Sequence, residues 1–195
     1  MQKNTQQYLP LNEALGTQGI IMRKILAIIF LIASFSVLAS DDKLEAQYTI
    51  EILDGFCIQN QDDFNNIVPM AESAGGKALP NEQADPVMRE LGGKTVFVPY
   101  KGRNYIVAFA NGGGCTVITK NIDLVNLKKS LAKHFQTKLI DKQSSLAQVN
   151  EMLEVTAKGI YQGSIISLVY PQPDSGYTEG SVSFLPASVV NSAVK

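Results

Sequence analysis

Residues Lys94 to Lys120 read KTVFVPYKGRNYIVAFANGGGCTVITK, three short runs of Val, Ile, Phe, Tyr and Thr separated by two glycine-containing turns. β-branched and aromatic side chains between glycines suit a half-buried pleated surface. The segment therefore predicts strands at Thr95–Tyr100, Tyr105–Ala110 and Cys115–Lys120, joined through Lys101-Gly102-Arg103-Asn104 and Asn111-Gly112-Gly113-Gly114. Turns this short make neighbouring strands antiparallel. The middle run is apolar at both alternating sets of positions, Ile106 and Ala108 against Tyr105, Val107 and Phe109. That pattern predicts a central strand covered on both sides.

Upstream, Tyr48, Ile52 and Phe56 recur at helical spacing, although Thr49-Ile50 suits a strand equally well. Acidic Asp41, Asp42 and Glu45 favour a helix N-terminus, so the segment to Cys57 is read as helix. A second helix is expected from Asp62 to Ala74, kinked or split at Pro69 and ended by Gly75-Gly76. Lys77 to Asp85 reads as a polar loop, and Pro86–Leu91 as a short helix capped by Asp85. Downstream, Asp123 caps a helix to Phe135 whose stripe is Leu124, Leu127, Leu131 and Phe135, with Lys128, Lys129 and Lys133 turned to water. Gln136 to Gln148 reads as loop with a turn of helix. Strands follow at Leu153–Lys158, Ser164–Tyr170 and Gly180–Leu185, and the tail from Pro186 is expected to fray. The fold class is α+β: an antiparallel sheet of two three-strand meanders, about five to six strands in one sheet, with helices packed on one face and one disulfide. A repeated helix–meander unit is suggested by the order of elements, without any residue-level repeat.

A hydrophobic fraction of 45% supports a real core, and a formal charge of −1 gives no electrostatic case for a nucleic-acid partner. Met22-Arg23-Lys24 is a short basic start to an apolar run, Ile25 to Leu38, that ends in Val37-Leu38-Ala39-Ser40. About 14 apolar residues are too few for a comfortable membrane span and suit a signal peptide. The organisation expected is a non-native or miscalled leader over 1–21, a signal peptide over 22–39 and a single α+β domain over 40–195. Serine stands where a lipobox would carry its lipid-bearing cysteine, so the expected product is an exported protein, periplasmic or secreted, with no lipid anchor.

The sequence has two cysteines. An even count in an exported chain favours a bond, because the compartment is oxidising. Cys57 and Cys115 are therefore expected to form a disulfide that pins the N-terminal helical segment to the first meander. Neither has an adjacent His, Lys or Arg to activate it, and redox-motif spacing is absent. Asn111–Gly114 is followed by a strand rather than a helix, so it reads as a hairpin turn and not a phosphate loop. His134 is the single histidine and stands at a helix C-terminus, where it complements the dipole. No metal-ligand spacing and no Gly-x-Ser-x-Gly elbow occurs, and no cofactor is expected. Asp62-Asp63 suits capping. Surface contact is expected at the loop tip carrying Tyr177 and at the turn carrying Arg103 and Asn104.

Gly55-Phe56-Cys57, the Asp63-Phe64 helix, Gly75-Gly76 and the meander closing on Gly112-Gly113-Gly114-Cys115-Thr116-Val117 together resemble a set of small exported proteins of Gram-negative bacteria, some of them lipoproteins, with no assigned activity. The likeness spans most of the chain after the signal. That family often carries a tryptophan ahead of its meander, and this chain has none. The resemblance implies an exported α+β domain with paired cysteines and no catalytic residues. The expected function is non-catalytic binding of another envelope protein, as an inhibitor, immunity or accessory factor. The alternatives are a small periplasmic hydrolase using His134 and a small-ligand carrier. Partner identity and oligomeric state are not encoded in any recognisable motif.

Overall fold

The computed structural model describes residues 43–83, 89–120 and 123–193. The leader and signal at 1–21 and 22–39 lie outside them, as do the first half of the short helix expected at Pro86–Leu91 and the Asp41-Asp42 pair. The chain forms an open, eight-stranded antiparallel sheet with helices and one disulfide.

Helix α1 covers 43–52 and runs directly into a wider turn, Leu53–Ile58. Gln59 N–H there donates to Asp54 C=O at 3.0 Å, a five-residue step. Widening lets Leu53, Phe56, Cys57 and Ile58 all turn inward, one more than ordinary helical spacing would bury. A single turn at Phe64–Asn66, capped by Asp63, then opens α2, Ile67–Ser73. Pro69 falls in the first turn of α2, where a backbone donor has no intrahelical partner, so the expected kink does not arise.

The strands are β1 (Lys77–Ala78), β2 (Lys94–Tyr100), β3 (Arg103–Phe109), β4 (Cys115–Lys120), β5 (Thr137–Ser144), β6 (Gln148–Val155), β7 (Ile165–Pro171) and β8 (Glu179–Leu185). Helix α3, Leu124–Phe135, links β4 to β5, and α4, Ala187–Ala193, follows β8. Strand order is β1-β2-β3-β4-β8-β7-β6-β5. Each half is a run of strands joined to its sequence neighbour, and the halves meet where Cys115 faces Phe184 and Lys120 faces Glu179.

Several expectations are corrected. The sheet has eight strands, not five to six. Lys77–Ala78, expected as loop, pairs with Phe97 and Val96. Gln136 to Gln148, also expected as loop, supplies β5, paired with β6 from Thr137–Val155 to Ser144–Val149. Both new strands are edges; residues 138–144 are exposed throughout, so burial imposes no alternation on them. The first hairpin is tighter than expected. Tyr100 faces Arg103, leaving a two-residue turn with positive φ at both Lys101 (49°) and Gly102 (78°), and placing Arg103 and Asn104 on β3. Pro99, beside Tyr100, sits past the end of β1, and its missing donor faces away from β3. Within the tail expected to fray from Pro186, Ala187–Ala193 is helical, its start held by Ala187 N–H donating to Ser164 Oγ at 3.1 Å.

One face of the sheet carries Val96, Val98, Tyr105, Val107, Phe109, Val117, Val182, Phe184, Ile166, Leu168 and Leu153, which share a buried core with Ile50, Leu53, Ile67, Leu127 and Leu131 of the helices. The opposite face has a row of small groups at its middle, with Thr116 facing Ser183, their hydroxyls 2.9 Å apart, and Ser183 facing Ser167, flanked by larger side chains such as Phe97, Ile118 and Leu185. On that face Ala108 is buried but Ile106 is 36% exposed, so β3 is not covered along its whole length.

Candidate functional site

Cys57 and Cys115 are bonded, with Cα atoms 5.4 Å apart. Three further contacts reinforce the same junction. Phe64 N–H donates to Asn111 Oδ1 at 2.9 Å, Asn111 Nδ2 donates to Asp63 at 3.3 Å, and the rings of Phe64 and Phe109 lie 6.4 Å apart. Asn111–Gly114 is thus a hairpin turn, with Gly112 at φ 73° and Ala110 N–H donating to Gly114 C=O.

Glu45 was expected to complement a helix dipole. It is instead 6% exposed, pairs with Arg103, and accepts a hydrogen bond from Thr119 Oγ1 at 2.6 Å. The Tyr105 hydroxyl lies beside this carboxylate without reaching hydrogen-bond geometry to any described residue. Burial first, and then the Glu45 charge, pushes that phenol up. Arg103, one of the expected surface contacts, therefore fastens α1 to β3 and β4, while Asn104 beside it is exposed. At the rim, Lys101 Nζ sits 2.7 Å from Glu51 and under 5 Å from both the Tyr48 and Tyr100 ring centres, at 4.7 and 4.9 Å. Burial opposes the Glu51 charge, but Lys101, Gln47 and Tyr100 outweigh it and hold the carboxyl below its usual range.

Helix α3 is fastened by a second buried carboxylate. Glu151, 4% exposed on β6, receives Lys128 at 2.5 Å, Lys142 at 3.1 Å and the Tyr170 hydroxyl at 2.8 Å. Lys128 therefore faces inward, not to water as its sequence position suggested. Burial alone would raise the Glu151 pKa; Lys128, Tyr170 and Lys142 reverse that and bring it to about 2. Burial, then the Glu151 carboxylate, pushes Tyr170 up to about 12.

With these charges paired inside, the outer flanks of α1 and α3 frame a groove of about 640 Å³. Helix α1 lines it with Lys43, Gln47, Ile50 and Glu51, the wider turn after it with Asp54, and α3 with Asn126, Lys129, Ser130, Lys133 and His134. The spacings are helical on both sides, so each wall is a single stripe. Among the described residues, Lys43, Lys129 and Lys133 form no ion pair, and His134 has no hydrogen-bond partner. The His134 ring meets only Phe135, at 6.1 Å. Sequence reasoning singled out His134 but not the groove, because the two stripes lie on helices about 80 residues apart and only the fold aligns them.

Tyr177 is 67% exposed and borders a smaller hollow of about 410 Å³ with Ser145, Gln148, Pro171 and Glu179. It precedes Glu179, which pairs with Lys120 at the same end of the sheet as the turn before Arg103 and Asn104, with β4 standing between. Among the described residues no three of His, Cys, Asp and Glu gather closely enough to hold a metal ion. No helix among them is long and apolar enough to cross a membrane. The disulfide fits an oxidising compartment.

Fold and groove define an open-sheet α+β protein with a cation-lined inter-helix cleft. Comparison with known proteins finds no family model, no curated protein and no solved structure that matches this chain.

Proposed function

We propose that this is an exported, non-catalytic protein that acts by binding another protein of the bacterial envelope, in the manner of an inhibitor, immunity or accessory factor. In this reading residues 22–39 direct export, and the likeness to small exported Gram-negative proteins reflects kinship. The helices flanking the groove contribute Ile50, Leu127 and Leu131 to the core they share with the sheet. The observation that carries the proposal is how the charges are divided. Glu45 and Glu151 hold the helices down through internal ion pairs, while three lysines of the groove are exposed and form no ion pair among the described residues. Cations aligned on a fixed wall suit recognition, since steering and register come from outward charge. The hydrolase reading is not favoured by any observation, because a general base needs an orienting partner and His134 has none among the described residues.

The test is affinity purification from envelope extracts with the protein as bait, followed by reconstitution with the purified candidate. A specific complex that re-forms from purified components is the expected result. Recovery of nothing above background, across several growth conditions, overturns it.

A further inference from the structure

We infer that the groove between α1 and α3 receives an acidic segment of the partner polypeptide. The inference rests on the binding reading above and adds the chemistry of what is bound.

The groove's two walls differ. The α3 wall presents Lys129 and Lys133 with His134 beside them, and Lys43 faces the groove from the start of α1. The α1 wall also carries carboxylates, but neither is without a partner. Glu51 is held by Lys101 at 2.7 Å, and Asp54 accepts from Gln59 Nε2 at 3.3 Å. Between the charged groups stand Gln47, Asn126 and Ser130, which can donate to or accept from a peptide backbone. The floor includes Ile50, 3% exposed.

Cations chiefly on the α3 side, neutral polar groups between and Ile50 beneath fit an extended peptide with Asp or Glu turned towards α3. A polyphosphate fits worse, because its unbroken charge would lie against Asp54 and Glu51, and the chain as a whole carries −1. A small free anion would use the lysines but not the amides. Lys128, on the same helix, takes no part, being turned inward to Glu151.

The purified full chain would be titrated by fluorescence anisotropy with a labelled short peptide alternating Glu and Leu. Inorganic phosphate and a single-stranded DNA oligomer would serve as competitors. Saturable binding is expected, weakened at least about tenfold by Lys129→Glu with Lys133→Glu and by raising salt from about 50 to about 300 mM. Lys129→Gln with Lys133→Gln should fall between, and Lys138→Glu, on β5, should leave binding unchanged. Both groove lysines are exposed, and circular dichroism would confirm that each variant is folded. Equal binding by wild type and the charge-reversed variant overturns the proposal. So does complete displacement by millimolar phosphate, which marks a small-anion site, or preference for the DNA.

A photo-crosslinking amino acid placed at Ser130 or at Tyr177 separates the two levels of the argument. An adduct at Ser130 that charge reversal abolishes supports both. An adduct at Tyr177 alone keeps the binding reading and overturns the groove. No adduct at either position overturns both.

Discussion

At Arg103 the guanidinium meets the Glu45 carboxylate, only 9% exposed in its side chain, at the junction of α1, β3 and β4. Removing one partner of such a pair leaves a charge in a place built for two, typically a loss of about 3 to 5 kcal/mol. Arg103→Ala should therefore lower the urea midpoint by an amount of that order, while Asn104→Ala, one residue on and exposed, should change it by less than about 0.5 kcal/mol. Glu151 makes a different prediction. Its pKa in the folded chain, about 2, lies below the ordinary 4.5, so the stability it contributes is fully present above pH 4.5 and is lost as pH falls towards 2. Over that window the wild type should lose up to about 1.4 kcal/mol more per pH unit than Glu151→Gln, the slope of one proton. Denaturation curves at matched pH would show it; parallel slopes would refute the coupling. Neither carboxylate was legible in the sequence as a buried ion. Glu45 sits three residues after Asp42, and Glu151 sits between Asn150 and Met152. What buries them is the meeting of segments far apart in the chain.

Elements were legible wherever one face is buried. Strand β4 alternates in burial and β2 and β3 bury their core-facing residues, and α3 carries its apolar stripe and its Asp123 cap, with Asn126 N–H donating to the Asp123 carboxylate at 3.1 Å. The disulfide was legible too, from residue count and compartment alone. Strands β1 and β5 were not, because an exposed edge places no demand on alternation. β5 shows how such an edge is kept from pairing further: its register slips between Leu139 and Asp141, and it presents lysines at 138 and 142. Gly75 and Gly76 were read as a helix terminator, which is half of their role. A Cβ on Gly76 would lie 2.1 Å from Phe97 C=O and 2.9 Å from Ala71 C=O, so the backbone of α2, β1 and β2 converges there with no room for a side chain. Gly76→Ala should cost roughly 3 kcal/mol or more, as backbone collisions do. Gly102→Ala, where a Cβ meets nothing within 4 Å, should cost only the strain of φ 78°. Thermal melts of the two variants compare the effects directly.

For the molecule as a whole, the covalent link falls entirely within the segment that ends with β4. It joins residues 58 apart, and in the chain-entropy account a loop of that length contributes about 4 kcal/mol. Reduction should lower the melting temperature by about 10 °C, since each kcal/mol moves a domain of this size by roughly 2 to 4 °C. Cys57→Ala with Cys115→Ala should do the same without reductant, and no change in either case would refute it. The order of elements hinted at repetition, and the sheet gives it form: a helix followed by four strands occurs twice, with β4 and β8 side by side in the middle. Nothing in the residues announced this, since equivalent positions share topology without sharing side chains.

The β4–β8 pairing has a kinetic meaning. Among the described strands it is the one ladder that unites the halves, and it brings Cys115 opposite Phe184 after everything between them has been made. Neighbouring strands can zip as soon as their own turn closes, whereas this central ladder must wait for a long excursion of chain to return. Refolding should therefore pass through two locally ordered lobes, and pulsed exchange should find the amides of β4 and β8 among the last to become protected.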